Sequence, residues 1–145
     1  MYKHILIPTD GSELSLKAIQ EGVKFAKEIG AEVTGFIATP KFHLVSLNPT
    51  MVTDTSDQFR KDSDEIAARA LETIKNSTDA AGVRCSIDMA VEDDPSEAIV
   101  DAAQRHHCDL IVMASHGRRG LSGLLLGSET TKVLTHSKTP VLVCR

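Results

Sequence analysis

The sequence contains no tryptophan and a single tyrosine, and aromatic residues make up only 3% of it. Proteins that hold single-stranded nucleic acid stack its bases on aromatic rings, and this chain has little to stack them on. A basic balance is missing as well. Twenty acidic residues outnumber 16 lysines and arginines, for a formal net charge of -4, so there is no positive field to draw in a phosphate backbone. Arg118 and Arg119 form the one local basic cluster. Nucleic acid is therefore not expected as a partner.

Cysteine is scarce. Cys85, Cys108 and Cys144 are odd in number and far apart, with no C-x-x-C pair, a pattern that suits reduced thiols in a cytosolic compartment and not a disulfide framework. No apolar run approaches the roughly 18 residues of a membrane span, and the apolar stretch within Met1 to Asp10 is too short for a signal peptide. The expectation is a soluble, cytoplasmic protein that does not enter a membrane. With 145 residues, 41% hydrophobic and 25% charged, the chain has the size and balance of one globular domain spanning residues 1–145.

What is present is a regular alternation of strand and helix signals. His4-Ile-Leu-Ile-Pro8 is a short apolar run of the kind buried on both faces of a parallel sheet. Ser12 then precedes a helical stripe at Ile19, Gly22, Val23, Ala26 and Ile29 that stops at Gly30. Ala31 to Ala38 returns to strand character, which completes a right-handed βαβ unit. Residues 39–57 read as a long polar loop or flap, with Phe42, Leu44, Val45, Leu47 and Met51 available to pack. Helical spacing resumes from Gln58 to Ala81. Val83 to Val91 reads as a strand, Asp94-Pro95 as a cap and first turn, Asp109 to Ala114 as a second apolar strand, Ser128 as the start of a helix, and Pro140 to Cys144 as a last strand. The fold class is α/β: a single doubly wound, five-stranded parallel sheet with helices on both faces.

In such a sheet a ligand lies beyond the carboxyl ends of the strands, where the winding reverses. Two strand exits look unusual: Pro8-Thr9-Asp10-Gly11-Ser12, and Ala114-Ser115-His116-Gly117 running on through Gly120, Gly123, Gly127 and Ser128. Glycines let a backbone approach phosphate oxygens, and a helix starting at Ser128 offers its amides and dipole to an anion. Glycines also serve ordinary turns, Asp10 and Ser128 are of residue types that cap helices, and His116 suits a loop hydrogen bond better than the role of a base. The lysine of G-x-x-x-x-G-K-[ST] and the compact G-x-G-x-x-G are both absent. The histidines, His106-His107 included, lack zinc-ligand spacing, so no metal site made of protein alone is expected.

The opening I-L-I-P-T-D-G-S, the central I-V-M-A-S-H-G-R-R-G-L-S-G-L-L-L-G-S and the closing T-P-V-L-V together resemble the universal stress protein family along the whole chain. The nucleotide-binding branch of that family carries G-x2-G-x9-G-[ST], and here the register reads Ala114-x2-Gly117-x9-Gly127-Ser128. The resemblance implies a Rossmann-like fold of the adenine nucleotide alpha hydrolase type with strand order 3-2-1-4-5. It further implies that Pro8, Thr9 and Asp10 border an adenosine and that Ile37 faces the adenine. Met113 and Ala114 would lie against sugar and phosphates, with Gly117, Gly127, Ser128, Glu129 and Thr130 around the phosphate chain. Ala114 and Glu129 depart from the common pattern. The methyl is tolerable only where φ is negative, and the carboxylate costs affinity beside a triphosphate unless Mg2+ or Arg118 offsets it. The implied partner is a second copy, paired through Val141, Leu142 and Val143 of the last strand. Three functions stay open: an adenine-nucleotide-binding (ATP, ADP or AMP) regulatory module acting as a homodimer on an unknown protein partner; a nucleotide-free dimer working through protein contacts; and a slow ATPase.

Overall fold

The structure is a computed structural model that describes residues 1–43, 49–117 and 125–145. Among these residues the elements run β1 (His4–Pro8), α1 (Glu13–Ile29), β2 (Glu32–Thr39), α2 (Pro49–Ala81), β3 (Cys85–Val91), α3 (Pro95–Arg105), β4 (Leu110–Ala114), α4 (Ser128–His136) and β5 (Val141–Cys144). All strand pairs are parallel, and the sheet order is β3-β2-β1-β4-β5. The winding therefore reverses between β1 and β4.

Both faces of the sheet are covered, which is why its central strands are apolar without interruption. Ile5, Ile7, Val33, Leu110 and Val112 meet Ile19, Val23 and Ala26 of α1 and Ile74 of α2. Their strand neighbours Leu6, Phe36, Ile111 and Met113 point the other way, into Ala98, Ile99, Ala102 and Ala103 of α3 and Val133 of α4. The three-residue center of β1, Ile5-Leu6-Ile7, is 0% exposed. β5 forms one edge, bonded to β4 along one side, with Leu142 44% exposed. β3 forms the other edge and exposes Ile87 and Met89.

Local signals set most element ends. Ser12 caps α1 by accepting from the Ser15 N–H, and Gly30 stops the helix at φ 71. Asp94 caps α3 by accepting from the Ser96 and Glu97 N–H groups, with Pro95 in the first turn. The C-terminal end of α3 is less orthodox, because His107 turns the chain at φ 52, a left-handed position that disfavours any side chain. His107→Gly should raise stability by about 0.5–1 kcal/mol in urea unfolding, the ~1–2 kcal/mol penalty less the extra chain entropy that glycine loses. Neighbouring His106 is tied to Asp88 on β3 at 2.8 Å, and Arg105 reaches the same oxygen at 3.0 Å. Burial pushes the Asp88 carboxyl up, but those two donors, together with the Met89 N–H and the Arg105 charge, hold the group below its usual range.

One helix departs from expectation. α2 begins at Pro49, within the stretch 39–57 that reads as a loop, and runs for 33 residues. The polar run before Gln58 has no apolar period to announce a helix, yet proline suits a first helical position and Thr, Ser and Asp are only mildly unfavourable inside one. Phe42 does pack, its ring 5.6 Å from that of Phe59 on α2. Leu44, Val45 and Leu47 lie outside the described residues.

α2 crosses β2 closely. A β-carbon on Gly35 would stand 2.9 Å from Cγ2 of Ile74, which is fully buried. Gly35→Ala should cost about 1–3 kcal/mol by overpacking, and Ile74→Ala about 2–5 kcal/mol by leaving a cavity. The double variant should fall well short of their sum, because the new methyl occupies part of the space that Ile74 leaves. Urea unfolding of the four proteins checks the coupling.

Candidate functional site

The chain leaves β1 through a tightly bonded turn. Pro8 is buried in register with Phe36, and the Thr9 N–H donates to the Phe36 carbonyl at 2.9 Å. Thr9 is itself buried; its hydroxyl lies 2.9 Å from that of Ser15 and accepts from the Gly11 N–H at 3.1 Å. Asp10 Oδ1 accepts from the Ser12 N–H at 2.9 Å. Asp10 is therefore not the cap of α1, a place that Ser12 takes because it sits directly before the first helical residue. The second carboxylate oxygen, Oδ2, approaches the other loop, 2.5 Å from where a β-carbon on Gly117 would sit. Any side chain at 117 would displace it. The two strand exits that looked unusual thus meet across the reversal point, at Asp10 and Gly117.

The exit from β4 is held by three bonds, one to the end of β5 and two to the start of α4. The Ser115 N–H donates to the Cys144 carbonyl at 2.8 Å, the Gly127 N–H donates to the Ser115 carbonyl at 2.8 Å, and the Thr130 hydroxyl donates to the Ala114 carbonyl at 2.9 Å. Gly127 is crowded in space and unstrained in torsion: φ is -62, but a β-carbon would lie 3.1 Å from the Ser115 oxygen and 3.2 Å from His116 Cα, tighter than ordinary contact. Ser128 is the first helical residue and not the cap. The cap position belongs to Gly127, and no side chain closes the helix end there, whereas α1 and α3 each carry one. A helix leaves its first amides without intrahelical partners, and at such an end they suit an anion.

His116 is held by its neighbour, with Nδ1 3.0 Å from the Ser115 hydroxyl. Ala114 ends β4 at 8% exposure, and among the described residues His107 is the only non-glycine with positive φ. The methyl at 114 therefore sits on ordinary backbone and carries no strain.

Three expected site residues have contacts of their own within the fold. Ile37 is 3% exposed and packs against Ala67, Ala70 and Leu71 of α2. Met113 is buried on the opposite face, against α3 and α4. Glu129 directs its carboxylate to the start of α3 and to its own helix: Oε2 accepts from the Ser96 N–H at 3.1 Å, and Oε1 lies 3.2 Å from Lys132 Nζ. Pro8, Thr9, Asp10, Ala114, Gly117, Gly127, Ser128 and Thr130 remain around the reversal point. Arg118, Arg119, Gly120 and Gly123 lie outside the described residues.

Sequence reasoning passed over Ser15 and Ser115. Both are buried, the first fixing Thr9 and the second holding His116 and the start of α4. Serine three residues into α1 is the one signal that could have marked the first of them. Among the described residues no group of His, Cys, Asp and Glu could hold a metal ion, and no helix is long and apolar enough to cross a membrane.

Comparison with known proteins agrees with this fold. The family model described as the universal stress protein family matches residues 1–145. Universal stress protein MJ0531 of Methanocaldococcus jannaschii is 34% identical over 145 residues, an alignment covering 100% of this chain and 83% of that protein. Among solved structures, that of MJ0577 superposes with a TM-score of 0.81 at 31% identity, covering 99% of this chain and 95% of the other. A universal stress protein solved in complex with cAMP superposes with a TM-score of 0.72 at 25% identity, covering 99% and 97%.

Proposed function

The chain belongs to the universal stress protein family, and from that footing we propose that it binds an adenine nucleotide between the exits of β1 and β4 and acts as a regulatory module, not as an enzyme. The phosphates rest on the amides of Ser128, Glu129 and Thr130, and the nucleoside lies toward Pro8, Thr9 and Asp10. One observation carries this reading: α4 starts on a glycine, with no capping side chain and only cramped space for a β-carbon, while α1 and α3 close their own ends. The cAMP complex of a relative with the same fold supports the ligand class. ATP with Mg2+ is the fullest occupant, and the relaxed backbone at Ala114 removes one objection to it.

A binding role fits better than turnover. Hydrolysis needs a base aimed at a water in line with the γ-phosphate. Asp10 is bonded to the Ser12 amide, His116 to Ser115, and Glu129 to α3. Bound nucleotide would then act by stabilising one conformation. The module works as a homodimer paired through Val141, Leu142 and Val143, whose strand is the open edge next to β4, and in the cytoplasm, where its free thiols stay reduced.

The burial of Ile37 under α2 favours a second reading, a dimeric stress protein that works without nucleotide. Mild denaturation of freshly purified protein, identification of any released nucleotide by mass spectrometry, and calorimetric titration of ATP, ADP and AMP with magnesium separate the two. Retained or micromolar-binding nucleotide is the expected result. No binding at millimolar nucleotide would transfer the role to the nucleotide-free dimer.

A further inference from the structure

α4 is short and only lightly held by packing, since Thr130 and Val133 are its buried residues. Polar bonds at its first turn therefore decide how it lies. Two of them tie it to β4, through Gly127 and Thr130. A third runs sideways: the Ser96 N–H donates to Glu129 Oε2 at 3.1 Å while sharing its proton with Asp94 Oδ1 at 3.0 Å. Ser96 lies in the first turn of α3, which is anchored independently by the Asp94 cap, Pro95, and the buried Ala98 and Ile99. Two carboxylates at one helix start would repel each other. Lys132 stands between them, 3.2 Å from Glu129 Oε1 and 3.7 Å from Asp94 Oδ2.

We propose that Glu129 is a positioning residue: it latches the first turn of α4 to the rigid start of α3 and so fixes the direction in which the amides of residues 128–130 face a phosphate. The inference rests on the nucleotide reading and deepens it. Donors set in advance of the ligand bind it without reorganising, and the same bond points the carboxylate at a helix N-terminus and a lysine, where negative charge is favourable, and away from the ligand. A charge that would weaken phosphate binding from the cradle thus supports it from the side.

The test compares Glu129→Ala with Glu129→Gln, because glutamine keeps an oxygen for the Ser96 N–H but loses the charge. Calorimetric ATP affinity should fall by about tenfold in Glu129→Ala and return most of the way in Glu129→Gln, a difference well within the range of titration. Tighter ATP binding by both variants would place the carboxylate on the phosphates and overturn the proposal. Lower stability with unchanged affinity in Glu129→Ala would overturn it too. Should the parent protein bind no ATP, ADP or AMP, the nucleotide reading fails by itself, and amide hydrogen exchange decides the latch. Faster exchange at Ser96 and at residues 128–130 in Glu129→Ala supports the latch, and unchanged exchange removes it.

Discussion

Gly127→Val is expected to lower ATP affinity by at least about hundredfold, equivalent to ~2.8 kcal/mol, while the protein still unfolds cooperatively. A β-carbon at this position already stands 3.1 Å from the Ser115 carbonyl oxygen and 3.2 Å from His116 Cα. Both neighbours are backbone and cannot swing aside as a side-chain tip could. Two further methyls would force the first turn of α4 off the end of β4, straining the Gly127 N–H bond to Ser115 and the Thr130 hydroxyl bond to Ala114. The amides proposed to hold the phosphate would move with it. Gly127→Ala should show a smaller loss in the same titration. Unchanged affinity in the valine variant would mean that the phosphates do not lie on α4. Circular dichroism of both variants verifies that the sheet survives.

The largest effect on stability is expected from Phe36→Ala. Phe36 is 0% exposed and sits among Leu6, Ala98, Ile99, Ala102 and Met113, in the layer between the sheet and α3. Removing a ring from such a site costs about 3–5 kcal/mol, set against the 5–15 kcal/mol that holds a domain of ordinary stability together. The midpoint of thermal unfolding should drop by roughly 6–20 °C at this chain length. Small helix residues make the loss hard to heal: the alanines at 98, 102 and 103 cannot extend into the space, and α3 would have to sink as a whole. A scanning calorimetry shift under about 3 °C would show that it does.

Much of the architecture is legible in the chain because it depends on short-range pattern. Ile5-Leu6-Ile7 and Leu110 to Ala114 are apolar without alternation, which suits only strands covered on both faces. Ser12 and Asp94-Pro95 announce their helices within three residues. The start of α2 escapes notice for the complementary reason, its polar first turns having no apolar period to read. The side-chain directions at the site are a different matter. Glu129 finds its partner 33 residues away, at the start of another helix, and no spacing within its own helix predicts that. Ile37 has strand parity with Gly35, and both face α2, while Phe36 between them faces α3. Which of those faces a ligand could reach depends on where α2 lies across β2. Asp10 and Ser128 look like caps because their residue types cap helices, but a cap is decided by one residue of register, and Ser12 and Gly127 occupy those places.

The thiols give the closed core a chemical consequence. Cys108 is buried beneath α3, and burial pushes its thiol up to about 12, so that at neutral pH about one molecule in 10^5 carries the reactive thiolate there. Burial raises Cys144, at the end of β5, in the same direction. Peroxide and electrophiles attack thiolates and pass over thiols. The packing that seats α3 on the sheet thereby also shields the Cys108 sulfur from oxidative chemistry.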